Sequence, residues 1–262
     1  MGAARRFTDI TAFFALACGL TWGLDFPLAY AYARGAEPGS YALVLVGLGA
    51  WGPTLAALLV AGWRRELRGM FGRWRTRPLW IVAGLLYPLA LHLPVTCIEW
   101  GLGGDPAWFY PPNRPEYIAA LVMFSFGEEL GWRGFAYPRL AERHGPVVGS
   151  LILGAVWGLW HWGMLFTPEA GPPAPEMVLK YVVRMALASV VIAWFYERSG
   201  RSVAVAIAIH AGAHLDNISR IPQSEVRLQI LHFLALVVVA LFAARSLSGA
   251  KHAPRPLAPH ER

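Results

Sequence analysis

Long runs of apolar residues, separated by short segments rich in arginine, glycine and proline, dominate this chain. Most runs reach the roughly 20 residues that an α-helix needs to cross the hydrocarbon core of a bilayer. The sequence contains about eight of them: Thr11–Tyr32, Tyr41–Trp63, Leu79–Leu102, Tyr117–Tyr137, Val147–Phe166, Met177–Tyr196, Val203–His214 and Leu228–Ala244. The seventh run is short, so seven spans is the alternative count. The pattern predicts an all-α, polytopic membrane bundle.

The distribution of basic residues predicts the orientation of the spans. The segment between the second and third runs contains Arg64, Arg65, Arg68, Arg73, Arg75 and Arg77. Loops rich in arginine stay on the cytoplasmic side, so with eight spans both termini are also cytoplasmic. The remaining segments that this orientation places on the cytoplasmic side are also basic. They contain Arg5, Arg6, Arg139, Arg143, Arg198, Arg201, Arg245, Lys251 and Arg255. The opposite loops are acidic instead, with Glu37, Asp105, Glu116, Glu169 and Glu176.

The segments between and beyond the runs complete the predicted organisation. Residues 1–248 form a single transmembrane helical domain, and Gly249–Arg262 has the composition of a disordered cytoplasmic tail. The basic segment Trp63–Trp80 mixes apolar residues with arginines. It is expected to form either an interfacial amphipathic helix or a solvated turn.

Composition supports the membrane interpretation and excludes other classes. Of the 262 residues, 56% are hydrophobic and 15% are charged, and the mean hydropathy is +0.43. A soluble domain would carry about 25% charged residues. The net charge of +7 comes mainly from arginines beside the apolar runs, which indicates contact with anionic lipid rather than with nucleic acid. The preference for arginine over lysine suggests a bacterial protein, and therefore the plasma (inner) membrane.

The fourth run contains the densest group of ionisable residues. Glu128, Glu129 and Arg133 lie within two turns of a predicted helix. Ionisable side chains inside a membrane are costly unless they are paired or face a cavity, so they are functional candidates. Glu129 and Arg133 have the i, i+4 spacing of an ion pair, which leaves Glu128 to face a cavity as a general base. The reverse assignment and a purely structural ion network are the alternatives.

Three histidines lie in later apolar runs. His161 follows Trp157 by one turn in the fifth run, and His210 and His214 share one helix face in the seventh. Two imidazoles at i, i+4 can meet one ligand or metal ion. A single buried histidine is usually structural, but three of them together with a carboxylate pair favour a functional site. Trp132 and Trp157 are expected to wall the pocket.

Four other polar residues lie in apolar runs and have weaker functional interpretations. They are Asp25, His92, Glu99 and Arg184. They could line an access path, although Glu99 and Arg184 are close enough to helix ends to extend toward the interface.

The motif residues resemble the CPBP group of intramembrane proteases, which includes the type II CAAX prenyl endopeptidases and bacterial Abi proteins. Glu128, Glu129 and Arg133 match its Glu-Glu-x-x-x-Arg motif. Trp157 and His161 match its Phe-x-x-x-His motif with tryptophan in place of phenylalanine. His210 and His214 match its His-x-x-x-Asn/Asp motif with histidine at the last position. The resemblance covers about 124–217 and implies an eight-helix fold with a catalytic core near 117–217.

The resemblance also implies roles for these residues. Glu128 would activate water, His161 would orient it, and His210 and His214 would stabilise the oxyanion. The same resemblance leaves the cofactor open. Glu128, His161, His210 and His214 would make a plausible Zn²⁺ site, and a metal-free glutamate mechanism is equally consistent with these residues.

The implied substrate is a peptide or protein, prenylated, lipid-associated or embedded in the membrane. Alternatives from other classes are a catalytically silent scaffold, a bacteriocin-immunity protein, and a small proton-coupled transporter. The sequence indicates no oligomeric state.

Overall fold

The computed structural model of the chain describes residues 2–35, 40–64, 74–104, 115–165, 173–215 and 226–249. Within these ranges the backbone is almost entirely helical and contains no strand, which confirms the predicted all-α bundle. Residues 65–73, which are half of the basic segment Trp63–Trp80, and residues 250–262 of the predicted tail lie outside the described residues.

Ten α-helices are described in these ranges. They are α1 (Gly2–Ala33), α2 (Ser40–Ala50), α3 (Gly52–Arg64), α4 (Pro78–Gly101), α5 (Pro115–Gly131), α6 (Tyr137–His144), α7 (Pro146–Trp160), α8 (Pro175–Arg198), α9 (Val203–Leu215) and α10 (Val226–Gly249). A π-helical turn, Trp132–Ala136, joins α5 to α6, and a 3-10 turn, His161–Leu165, extends α7.

Six helical segments in the described part of the chain are long and apolar enough to cross a membrane. They are Asp9–Ala33, Val44–Gly62, Pro78–Gly101, Pro146–Leu165, Pro175–Arg198 and Val226–Gly249. Each coincides with one of the eight predicted runs. The fourth run overlaps the 17-residue helix α5, and the seventh coincides with the shorter apolar helix Val203–His214. The orientation of the bundle stays a prediction.

The second predicted run is interrupted between α2 and α3, and Pro53 accounts for the break. Proline has no N–H, so the Gly49 carbonyl one turn earlier loses its normal helical donor. The Thr21 hydroxyl of α1 donates to that carbonyl at 2.7 Å. Helix α1 therefore supplies the hydrogen bond that the Gly49 carbonyl lacks, and this bond links α1 to the junction of α2 and α3.

The helical backbone of the fourth predicted run continues beyond Tyr137, although the apolar pattern ends at that residue. After the π-helical turn, α6 extends the helical path to His144. The N–H of Tyr137 bonds to the carbonyl of Trp132, five residues earlier, which widens the helix at this point. Arg139 and Arg143 consequently lie on a helix and not in a loop. α6 ends at Gly145, whose φ of +79° favours glycine.

The core of the bundle lies where α1, α3, α7, α8 and α9 surround the end of α5. The largest fully buried side chains are concentrated there, among them Trp132, Trp160, Arg133, Tyr137 and Phe13. Helix α7 packs directly on α8 because Gly154 and Gly158 leave no side chain between the backbones. This close packing brings the C-terminal end of α7 against the centre of the bundle.

Candidate functional site

Three elements bring the sequence-predicted residues into one buried cluster. The end of α5 and the π-helical turn carry Glu128, Glu129 and Arg133. The end of α7 carries Trp157, with His161 immediately after it, and α9 carries His210 and His214. Glu128 is 4% exposed, His161 8% and His210 5%, whereas His214 is partly exposed. The cluster is almost closed to solvent, and His214 is its most accessible member.

Glycines allow α5 to lie close to the junction of α2 and α3. A Cβ atom at Gly127 would lie 2.8 Å from the Ala50 carbonyl oxygen, and one at Gly131 would overlap the Pro53 backbone. The Thr54 hydroxyl donates to the Gly127 carbonyl at 2.6 Å. These contacts fix the position of the helix that carries both glutamates.

A buried ion pair joins Glu129 to Arg133. Arg133 Nη1 lies 2.8 Å from Glu129 Oε1, and both side chains are fully buried. Arg133 Nη2 also donates to Ser189 Oγ of α8 at 3.2 Å. A buried guanidinium and a buried carboxylate compensate each other only when both are present, so this pair fixes the π-helical turn in a defined position.

The same carboxylate begins a hydrogen-bonded chain into α9. Glu129 Oε1 lies 2.9 Å from His210 Nδ1, and His210 Nε2 lies 3.1 Å from His214 Nε2. An ionised carboxylate only accepts, so the Nδ1–H of His210 donates to it. A neutral His210 then has an unprotonated Nε2, which accepts the Nε2–H of His214. The contacts thus assign a tautomer to each imidazole.

Trp157 connects the other two candidate residues. Its indole Nε1–H donates to Glu128 Oε2 at 2.7 Å, and its carbonyl oxygen accepts from His161 Nδ1 at 2.7 Å. The neutral imidazole of His161 therefore has its lone pair on Nε2. Arg133 Cζ lies 4.7 Å from the centre of the Trp157 ring. Trp157 is thus a hydrogen-bonding part of the cluster as well as its wall.

Aromatic rings surround His161. The ring centroid of Trp160 lies 4.7 Å away and that of Tyr181 5.2 Å away. Trp132 packs edge-on against Trp160, with the ring centroids 5.9 Å apart. Sequence reasoning missed Tyr181 and Ser189, because both lie on α8 outside every motif and only the packing of α8 on α7 reveals them.

The described histidines and carboxylates do not converge as a metal site. In the part of the chain that the structure describes, no three His, Cys, Asp or Glu side chains are placed to hold one metal ion. The Nε2 atoms of His210 and His214 face each other. His161 donates its Nδ1–H to the backbone carbonyl of Trp157. This placement of the described residues does not fit the four-ligand zinc alternative.

Two of the other polar residues in the apolar runs, Glu99 and His92, have their partners outside this cluster. Glu99 of α4 forms a double contact with Arg227 of α10, the shorter at 2.6 Å. His92 stacks on His232, with the ring centroids 4.7 Å apart. Sequence reasoning missed Arg227, which lies just before the eighth run, and His232, which is single within it, because neither has a motif spacing. Asp25 lies beside the 3-10 turn that begins at His161.

Comparison with known proteins agrees with the predicted resemblance. Residues 111–215 match the model of the family described as "Type II CAAX prenyl endopeptidase Rce1-like". The chain is also 27% identical over 95 residues to CAAX prenyl protease 2 of Methanococcus maripaludis. That match covers 34% of this chain and 35% of the relative, so the two correspond over about a third of their lengths. Together with the six candidate spans, the match identifies a multi-pass integral membrane protein.

Proposed function

Because this chain belongs to the CPBP family, we propose that it is an intramembrane endopeptidase, hydrolysing a peptide bond in a lipid-associated or membrane-embedded substrate. One observation carries the proposal. Glu128 and His161, from different helices, are both held by Trp157 at 2.7 Å. An ion network alone would need only Glu129 to neutralise Arg133, so it gives no reason for a second buried carboxylate.

Glu128 is the proposed general base. Trp157 donates to one of its oxygens, and a carboxylate has further lone pairs with which to accept a proton from water. As the water oxygen attacks the substrate carbonyl carbon, Glu128 takes its proton and later delivers it to the leaving amine. The unprotonated Nε2 of His161 accepts a hydrogen bond from the same water and orients it.

His214 is the proposed donor to the oxyanion. In the resting cluster its Nε2–H donates to His210 Nε2, and His210 is held in turn by Glu129. When the tetrahedral intermediate forms, this N–H turns to the developing negative oxygen, where one such donor is worth about 10²–10³-fold in rate. His210 then acts as a positioning residue, and the Arg133–Glu129 pair keeps it in place.

The substrate class follows from the surroundings of the cluster. Aromatic rings crowd His161, and the neighbouring helices present apolar surface to the bilayer. These surroundings favour a peptide that approaches with a lipid or prenyl chain, or from within the membrane.

A catalytically silent scaffold is the second candidate, and the closed cluster favours it. Glu128 is 4% exposed and His210 5%, while hydrolysis requires both water and substrate to reach the site. A scaffold would keep the buried network for stability alone. The two candidates differ in whether removing the Glu128 charge abolishes a reaction.

The test is cleavage of a panel of quenched peptides, farnesylated and unmodified, by the purified full chain in lipid. Glu128→Gln keeps the size and the hydrogen-bond acceptor but removes the base. We expect it to lower kcat by about 10²–10⁴-fold. Glu142→Gln, an exposed glutamate on α6, is the matched control and should keep the wild-type rate. Equal rates for the wild type and Glu128→Gln would contradict the assigned base, and no cleavage of any peptide would favour the scaffold.

A further inference from the structure

A cavity of about 130 Å³ lies between α1, α2 and the 3-10 turn that follows α7. Its walls are mostly apolar and include Leu28, Val46 and Met164, with the ring of Tyr32 and the carboxylate of Asp25 as polar features. The volume holds several water molecules or the end of one side chain. No residue of the candidate active site lines it.

Asp25 is the unusual component of this cavity. Its side chain is buried, with 4% of the residue exposed, and Oδ2 has no hydrogen-bond partner among the described residues. No ion pair to Asp25 is formed within the described part of the chain either. A carboxylate in an apolar cavity at membrane depth is costly unless a ligand supplies the missing donor or charge.

The 3-10 turn that begins at His161 forms one wall of the cavity, through Gly163 and Met164. A Cβ atom at Gly163 would lie 2.5 Å from the Cβ of Asp25, so the 3-10 turn is in close contact with the Asp25 side chain. Gly163 is two residues past His161, roughly 4 Å along the axis of a 3-10 turn. Trp22 of α1 also donates to the Trp160 carbonyl at 3.0 Å. A group bound at Asp25 would therefore lie beside the proposed catalytic residues.

We propose that this cavity binds the side chain of a lysine or arginine of the peptide substrate, with Asp25 as its ion-pair partner. The inference rests on the proposed peptidase function and names a specificity site for it. Apolar walls suit the methylene stem of such a side chain, and Tyr32 offers an aromatic ring to the cation. A metal ion is a poor fit because a single carboxylate supplies too few oxygen ligands.

The binding mode predicts selectivity that depends on Asp25. In bilayers of phosphatidylcholine and phosphatidylglycerol, which lack primary amines, the full chain is given peptides that differ only in lysine or norleucine at successive positions. At one position near the cleaved bond we expect kcat/KM to be at least about tenfold higher for lysine, equal to about 1.4 kcal/mol. Asp25→Asn should reduce this ratio to below about twofold by lowering kcat/KM for the lysine peptide.

Two further variants separate specificity from folding. Gly163→Ala places a methyl group against Asp25 and should also reduce the lysine preference. Asp9→Asn removes another buried carboxylate of α1 and should keep it. The proposal is overturned if the wild type shows no lysine preference, if Asp25→Asn retains it, or if Asp25→Asn slows both peptides equally.

Binding measured without turnover distinguishes failure of the cavity from failure of the peptidase. Fluorescence anisotropy of labelled lysine and norleucine peptides is recorded with the Glu128→Gln protein and with its Asp25→Asn double variant. Tighter lysine binding that depends on Asp25, without cleavage by the wild type, supports the site and overturns the peptidase. Cleavage with equal binding of both peptides supports the peptidase and overturns the site. Neither binding nor cleavage overturns both.

Discussion

Single residues in this cluster each serve two partners, and Glu129 and Trp157 are the main examples. Glu129 accepts from Arg133 and His210 through the same oxygen, Oε1. Trp157 contacts Glu128 through its ring nitrogen and His161 through its carbonyl oxygen. A change of the Glu129 side chain therefore acts on the π-helical turn and on α9 at once. A change of the Trp157 side chain removes the donor to Glu128 but keeps the backbone carbonyl that His161 contacts. Effects within the cluster should be strongly non-additive.

The first residue-scale prediction concerns His214, which replaces the Asn/Asp of the family motif. The proposed role needs one N–H donor, which an asparagine amide also provides. His214→Asn should keep kcat within about tenfold of the wild type, whereas His214→Leu should lose about 10²–10³-fold, as for removal of an oxyanion donor. Steady-state cleavage of the best peptide measures both. If His214→Asn is as inactive as His214→Leu, the donor role is wrong.

The second residue-scale prediction concerns Arg133. Arg133→Met removes one half of a fully buried ion pair and leaves the charge of Glu129 uncompensated. The free energy of unfolding should fall by about 3–5 kcal/mol. Reversible unfolding in mixed micelles measures it, with the exposed Arg143→Met on α6 as control. Adding Glu129→Gln should restore part of the loss, and a double variant less stable than Arg133→Met would contradict the pairing.

Contacts within one helix were predictable from the sequence, but contacts between helices were not. The i, i+4 spacing places Glu129 next to Arg133 and His210 next to His214, and both contacts are present. That His210 bonds to Glu129 depends on how α9 packs against α5. No spacing in the sequence encodes that packing, or the approach of Tyr181 to His161.

At the scale of elements, the end of α5 is placed by close approach of backbones. Gly127 and Gly131 lie one turn apart and face the junction between α2 and α3, where a larger residue has no room. The π-helical turn that follows widens the helix at Arg133, and such turns recur at functional sites. The position of both glutamates thus depends on Gly127 and Gly131, which act by having no side chain.

The element-scale prediction is that Gly131→Ala displaces α5. The added Cβ would overlap the Pro53 backbone, so the helix must move away from α3 and carry Glu128 with it. We expect the free energy of unfolding to fall by about 1–3 kcal/mol and cleavage to fall with it. Gly62→Ala, where a Cβ meets nothing within 4 Å, is the control in the same assays. An unchanged Gly131→Ala protein would show that this contact does not position α5.

The apolar runs located helices in all eight positions but not the interruptions within those helices. The break at Trp51 depends on Pro53 and on the Thr21 hydroxyl from another helix. The extension from Tyr137 to His144 is polar on one face, so it falls outside an apolar pattern. Hydropathy reports how much of a segment can lie in lipid, whereas these features depend on neighbouring helices.

At the scale of the whole molecule, the proposed chemistry lies inside a bundle that is nearly closed. Glu128, His161 and His210 are all less than 10% exposed. His214 is more accessible, so entry of substrate past α9 would also separate its N–H from His210. A closed resting site would protect other membrane proteins from unselective hydrolysis.

The central claim is that Glu128 activates water to hydrolyse a peptide bond, and the most direct measurement is product analysis in ¹⁸O-labelled water. Mass spectrometry follows the newly formed carboxyl group after cleavage by the full chain in lipid. The wild type should give a product with one oxygen from the labelled water, and Glu128→Gln should form almost none in the same time. Labelled product formed equally fast by Glu128→Gln would contradict this account.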